Sequence, residues 1–131
     1  MSKTILIVED EKAFQDLYTV MFEETDYNII RAYDADQAMT KLEEQKPDLI
    51  ILDILLDLVT GDTFFLHLKR TSEYARIPVI IASSFSSKTY KHLQEIDPTL
   101  VFLEKPFTKG KLLESVRAKL DEEMSREKKW G

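Results

Sequence analysis

Short apolar runs separated by polar stretches recur five times along the chain. They cover residues 5–8, 28–31, 49–52, 79–82 and 101–103, and they are rich in isoleucine, valine and leucine. Runs of this length, bounded by polar residues, are typical of β-strands. Because most of the runs are apolar at consecutive positions, we expect strands that are covered on both faces.

The intervals between these runs carry apolar residues at the spacing of an α-helix. The fourth interval, residues 86–95, offers only Tyr90, Leu93 and Ile96, so its helix is expected to be the least anchored. The other four intervals predict the following stripes: Phe14, Leu17, Tyr18 and Met21; Ala35, Ala38, Met39 and Leu42; Phe64, Phe65 and Leu68; and Leu113, Val116 and Leu120.

This alternation predicts an α/β fold of the (βα)5 type. Right-handed crossovers place helices on each side of a parallel sheet, and we expect a doubly wound sheet with strand order 2-1-3-4-5. The length of 131 residues fits one domain, which we assign to residues 1–121. Residues 122–131 are highly charged and are expected to form an extension of the last helix or a tail.

The charge balance narrows the classes of function. Eighteen basic residues against 24 acidic residues give a net charge of −6, so direct binding to nucleic acid or to an anionic membrane is not expected. The absence of cysteine excludes disulfides and thiol nucleophiles and permits a cytoplasmic location. The first apolar run is too short for a signal peptide or a membrane span.

Glycine is scarce in the chain. Only Gly61, Gly110 and Gly131 occur, and their spacing cannot form a dinucleotide-binding turn or a P-loop. The two commonest nucleotide-binding folds of α/β proteins are therefore excluded.

Acidic side chains lie at the ends of two strands that this order makes neighbours. Glu9 and Asp10 follow the first strand and Asp53 follows the third. Ligands of open α/β sheets bind at the carboxyl ends of the strands, where the strand order reverses. Three carboxylates in one crevice repel one another unless a cation lies between them. Mg²⁺ prefers oxygen ligands and is commonly shared with a phosphoryl group, so it is the simplest such cation.

Two further residues at strand ends suit a phosphoryl group. Ser83 offers a hydroxyl donor and Lys105 offers a positive charge, while Asp53 can act as a nucleophile toward phosphorus. Each residue alone also has an ordinary structural explanation, as a helix N-cap for Asp10 or Asp53 and as a turn or solvated residue for Ser83 or Lys105. Their combination at four strand ends indicates phosphoryl chemistry.

With these motifs the sequence resembles the response-regulator receiver domains of two-component signalling, the CheY-like family. The resemblance extends over about residues 4–121 and implies the flavodoxin-like fold of that family. The matching features are the pair Glu9-Asp10, Asp53 followed at the family's spacing by Gly61, Ser83 after an apolar strand, and the sequence Lys105-Pro106-Phe107.

The resemblance implies a metal site and an acceptor. Asp53 would be the phospho-acceptor, and Asp10 and Asp53 would bind Mg²⁺, or Mn²⁺ in its place. Glu9 would bind the metal directly or through water, and the backbone carbonyl of Leu55 would complete the protein ligands.

The resemblance also implies how the site binds the phosphoryl group and responds to it. Ser83 and Lys105 would bind the phosphoryl group, and Phe102 would be the aromatic switch on the fifth strand. The peptide bond between Lys105 and Pro106 would be cis, an uncommon but accessible state before proline.

The sequence departs from the family pattern beside the acceptor and beside Ser83. Asp57 replaces a common proline, and Ser84 replaces a smaller alanine or glycine. Leu55 and Phe85 are apolar at the two positions that would flank an attacking water. Because polar side chains orient such a water, we expect Leu55 and Phe85 to slow hydrolysis of the phosphorylated state, with Ser84 adding steric cover.

The implied function is a signalling switch that takes its phosphoryl group from a histidine kinase or a phosphotransferase. Its output would be a downstream protein target or an effector domain outside this chain, acting as a monomer or as a weak phosphorylation-dependent dimer. The alternative is a non-phosphorylated pseudo-receiver that acts as an interaction module. A haloacid-dehalogenase type of hydrolase is disfavoured because neither Asp10 nor Asp53 starts a D-x-D pair.

Overall fold

Strands and helices alternate without exception in the described part of the computed structural model, which comprises residues 2–54, 60–84 and 91–130, with side chains through residue 122. The elements are β1 (Thr4–Val8), α1 (Lys12–Met21), β2 (Asn28–Ala32), α2 (Ala35–Glu44), β3 (Leu49–Asp53), α3 (Gly61–Arg70), β4 (Val79–Ser83), α4 (Lys91–Ile96), β5 (Val101–Glu104) and α5 (Lys109–Trp130). The predicted (βα)5 pattern is confirmed.

The five strands form one parallel sheet in the order β2-β1-β3-β4-β5. This is the predicted order, and each predicted strand is present and longer by one residue. The added residue matters at β3 and β4, because it makes Asp53 and Ser83 the last residues of their strands. Both side chains are therefore attached to hydrogen-bonded strand backbone at the carboxyl edge of the sheet.

Two hydrophobic cores cover the two faces of the sheet. Apolar side chains of α2, α3 and α4 pack on one face together with Leu6 and Val8 of β1. Those of α1 and α5 pack on the other face with Ile5 and Ile7. Every residue of β1, β3 and β4 is buried, as the unbroken apolar runs predict.

The buried face of α1 differs from the predicted stripe. Leu17 was expected to face the sheet, but it is 41% exposed, and Gln15 is fully buried beside Tyr18 and Met21. A polar residue can take this position because its side-chain amide donates hydrogen bonds to backbone carbonyls at the strand ends. Periodicity alone counts Leu17 as core because it ignores such partners.

The last two helices differ in how firmly they are packed. In the described part of α4 only Leu93 is buried, in agreement with its weak stripe; Tyr90 lies outside the described residues. In the described part of α5 the buried residues are Leu112, Val116, Lys119 and Leu120, and Leu113 of the predicted stripe is only partly buried. That helix continues to Trp130, and none of the described helices combines the length and apolarity needed to cross a bilayer.

Candidate functional site

Three carboxylates meet at the carboxyl edge of the sheet. β1 and β3 are neighbours, with Val8 opposite Leu52, so Glu9 and Asp53 come side by side at the ends of these strands. Together with Asp10 they offer carboxylate oxygens that all lie within 4.8 Å of one another. Glu9 is 1% exposed and Asp53 is 7% exposed, so water screens their charges poorly.

The ammonium group of Lys105 lies against this cluster. Its Nζ is 2.5 Å from Oε1 of Glu9 and 3.7 Å from Oδ1 of Asp53. The other oxygen of Glu9 accepts a hydrogen bond of 3.2 Å from the backbone N–H of Glu11. Lys105 reaches this position from the end of β5, where its own N–H donates to the Ser83 carbonyl at 2.8 Å.

Burial and neighbouring negative charge raise the pKa of two groups in the site. Burial raises the pKa of Glu9, and the Asp53 charge adds to this shift, while the hydrogen bond from Lys105 opposes it without cancelling it. Burial also raises the pKa of the Tyr18 phenol, with further contributions from the charges of Glu9 and Asp53. Both shifts show that this buried pocket disfavours the negatively charged forms of these groups.

Gln15 contacts the backbone next to the acidic cluster, a role that the sequence analysis did not predict. Its Nε2 lies 3.2 Å from the Ile7 carbonyl oxygen, 3.1 Å from that of Glu9 and 3.0 Å from that of Ala32. The amide thus joins α1 to the ends of β1 and β2 and holds the main chain that carries Glu9. The only signal in the sequence is an amide residue next to the apolar stripe of α1.

Gly61 allows α3 to begin directly against the end of β3. A Cβ atom at this position would collide with the backbone oxygen of Asp53 and would lie 2.5 Å from Cα of Ile54. The Gly61 N–H instead donates to the Ile54 carbonyl at 2.7 Å. Glycine is therefore required here by close backbone approach, which explains its fixed distance from Asp53 in the motif.

The remaining predicted residues lie on the β4 and β5 side of the site. Ser83 is 2% exposed, Ser84 is exposed, and Phe102 is partly buried against the core opposite Ile81. The peptide bond between Lys105 and Pro106 is cis. Leu55, Asp57 and Phe85, which the sequence argument placed beside the site, lie outside the described residues.

The donor set fits a hard divalent cation. Glu9, Asp10 and Asp53 contribute only carboxylate oxygens, which Mg²⁺ prefers, and they come from two adjacent strand ends. Burial, together with the nearby Asp53 charge, raises the pKa of Glu9 in spite of the Lys105 ammonium, so negative charge is costly in this cluster. A metal ion would lower this cost.

Comparisons with known proteins agree with this geometry. The family model described as "Response regulator receiver domain" matches residues 5–117. The chain is 36% identical over 120 residues to the response regulator GtcR of Aneurinibacillus migulanus, covering 92% of this chain and 48% of GtcR. It is 29% identical over 120 residues to the polar-differentiation response regulator DivK of Brucella anthropi, covering 92% of this chain and 98% of DivK.

Solved structures give the same result. A crystal structure of the signal receiver domain of a protein described as a Luxo repressor, from Vibrio parahaemolyticus, aligns with a TM-score of 0.88 and 26% identity. The alignment covers 100% of this chain and 99% of that one. The present chain spans about half the length of GtcR, which is the longer of the two relatives above. The family model matches most of the length of the present chain. The chain belongs to the response regulator receiver domain family.

Proposed function

We propose that this chain is a phosphorylation-dependent switch in which Asp53 accepts a phosphoryl group from a histidine kinase or a phosphotransferase. The observation that carries the proposal is the placement of Asp53 beside Glu9 and Asp10, with carboxylate oxygens within 4.8 Å, and of Lys105 Nζ at 3.7 Å from its Oδ1. A nucleophilic carboxylate, a metal-binding set and a fixed positive charge are the groups that this transfer needs.

The transfer is a displacement at phosphorus. An oxygen of Asp53 forms a bond to phosphorus while the bond from phosphorus to the donor nitrogen breaks, and that nitrogen keeps the electron pair. Lys105 pairs with the negative charge on the transferred oxygens, and the Ser83 hydroxyl donates a hydrogen bond to one of them. The position of Asp53 at the end of a buried strand holds the nucleophile in one place.

Mg²⁺, or Mn²⁺ in its place, would be bound by Asp10 and Asp53, by Glu9 directly or through water, and by the backbone carbonyl of Leu55, which lies outside the described residues. When bound, it neutralises the charge that the carboxylates and the phosphoryl group bring together. The Glu9 carboxylate would then interact with both the metal and Lys105, whose Nζ lies 2.5 Å from Oε1 of Glu9.

The response would pass from Ser83 to Phe102 and α4. Ser83 and Phe102 lie on adjacent strands, and the described part of α4 has only one buried side chain to resist displacement. A switch needs two packings that differ little in free energy, and a thinly anchored helix meets that need. The altered surface would bind a downstream protein or an effector domain outside this chain.

The test is phosphorylation by a small-molecule donor. Incubation with Mg²⁺ and acetyl phosphate, followed by intact-mass measurement, is expected to show one added phosphoryl group. Because an aspartyl phosphate is an acyl phosphate, this group should be lost at alkaline pH. Asp53→Asn should abolish the gain. Asp16→Asn, at an exposed carboxylate of α1, is the matched control and should be phosphorylated like the wild type.

Two results would contradict the proposal. Full phosphorylation of the Asp53→Asn variant would move the acceptor to another residue. No mass gain in the wild type with saturating Mg²⁺, from acetyl phosphate or from a phosphorylated histidine kinase, would favour the pseudo-receiver, an interaction module that is never phosphorylated.

A further inference from the structure

The ammonium group of Lys105 has an aromatic ring as its third neighbour. Besides Glu9 and Asp53, Nζ faces the ring of Phe14 on α1, at 4.0 Å from the ring centroid. The Lys105 side chain is only 10% exposed, so little water competes for the charge. A cation over a ring face at this distance is attracted by the negative face of the π-system, and the attraction grows as water is removed.

The Phe14 ring is held in this orientation by two other aromatic residues. It packs edge-on against Tyr18, with ring centroids 5.2 Å apart, and against Phe107 at 5.7 Å. Phe107 follows Lys105 by two residues, and its ring also lies 5.9 Å from that of Tyr18. This aromatic cluster of Phe14, Tyr18 and Phe107 joins α1 to the segment that carries the lysine.

We propose that Phe14 is a positioning residue for Lys105, keeping its ammonium group aimed at the phosphoryl position while Glu9 and Asp53 are engaged elsewhere. The inference rests on the function proposed above. Both carboxylate partners of Lys105 belong to the metal-binding set, so their hold on the lysine weakens when they are shared. The neutral ring is not shared, and it remains as a fixed contact on the lysine.

The first measurement is made on the metal-free protein. Protons that lie over an aromatic ring resonate upfield, so the ε-methylene protons of Lys105 are expected at unusually high field in the wild type. Phe14→Leu removes the ring and should return them to the ordinary lysine position. Phe14→Tyr keeps the ring and should keep the upfield shift.

The second measurement compares two affinities. With saturating Mg²⁺, Phe14→Leu is expected to bind beryllofluoride, a phosphoryl mimic, roughly three- to tenfold more weakly than the wild type. Its affinity for Mg²⁺ alone should change by less than about twofold, because the ring does not act on the carboxylates directly. Phe14→Tyr should restore beryllofluoride binding, which a role in packing alone does not predict.

Phe22→Leu is the matched control. Phe22 is 4% exposed, belongs to the same core and packs against Tyr27 instead of Lys105. Its replacement should lower the melting temperature and leave both the lysine resonance and the ratio of the two affinities unchanged.

The outcomes separate this inference from the function on which it rests. A wild-type protein that binds no beryllofluoride overturns the proposed function. A wild type that binds it, together with a Phe14→Leu variant that binds equally well, overturns the role of Phe14 alone. A Phe14→Tyr variant that binds no better than Phe14→Leu has the same consequence.

Discussion

Gly61 tolerates no side chain because α3 begins against the backbone at the end of β3. We predict that Gly61→Ala lowers the free energy of unfolding by about 1–3 kcal/mol, since the new methyl group must displace the backbone at Asp53 and Ile54. The same displacement moves Asp53, so the affinity for Mg²⁺ should also fall. Urea unfolding and calorimetric Mg²⁺ titration measure the two effects.

Gly110→Ala is the control for this prediction. A Cβ at Gly110 would meet only Oγ1 of Thr108, at 3.9 Å, and the residue lies in the first turn of α5. Alanine there should be neutral or stabilising by up to about 1 kcal/mol, because it favours the helix. Equal losses of stability in the two variants would show that the close approach of Gly61 to the end of β3 does not cause the loss in Gly61→Ala.

At the scale of elements, two lysines from opposite faces of the sheet hold the turn between α4 and β5. Lys69 of α3 pairs with Asp97 at 3.1 Å and donates to the Ala75 carbonyl at 3.1 Å. Lys119 of α5 is 1% exposed, and its Nζ donates to the Thr99 carbonyl. The turn is therefore attached to both cores.

The Lys69–Asp97 pair predicts a pH dependence of stability. Burial acts to raise the pKa of Asp97, but hydrogen bonds from Thr99 and Lys69 and the Lys69 charge outweigh it and hold this pKa below its ordinary value. The ionised form is thus favoured by folding. Its contribution is complete above the pKa of unfolded aspartate, about 3.9, and is lost as the pH falls through the lower folded pKa.

We predict that Asp97→Asn lowers the free energy of unfolding by about 1 kcal/mol at pH 7, where Lys69 loses its partner while the side-chain oxygen can still accept from Thr99. The difference from the wild type should shrink as the pH falls through the lowered folded pKa of Asp97. Urea unfolding at several pH values measures it, and Asp16→Asn, at an exposed pair, should show almost none. A difference that persists undiminished at low pH would exclude the ion pair as its source.

At the scale of the whole molecule, these attachments predict which region changes most in the proposed phosphorylation switch. With Mg²⁺ and beryllofluoride, amide exchange should change most between Ser83 and Phe102, and within that segment α4 (Lys91–Ile96) should change more than the turn at Asp97–Thr99. The two lysine attachments hold the turn after α4, so that turn should change less than the helix itself.

Hydrogen exchange followed by mass spectrometry tests this, with Asp53→Asn as the variant that should show no change. Changes spread evenly over the sheet, or largest at residues 97–99, would contradict the prediction.

Much of the fold and of the site follows from local patterns. Apolar runs place the five strands, helical spacing places the packed faces of α2 and α3, and polar residues at strand ends locate Glu9, Asp10 and Asp53. These inferences succeed because the end of a strand in a parallel sheet determines which edge a side chain occupies, whatever lies far away in the sequence. The expected slow hydrolysis stays a prediction, since Leu55 and Phe85 lie outside the described residues.

The contacts that support the site and the turn after α4 are determined by the tertiary structure and could not be predicted from the sequence. Gln15 is buried and Leu17 exposed because carbonyls of β1 and β2 lie within reach of the amide. Phe14 meets a lysine 91 positions further along the chain, and Lys119 is buried because the Thr99 carbonyl accepts its hydrogen bond. Such contacts depend on distances between elements remote in sequence, whereas periodicity reports only the side of an element on which each residue lies.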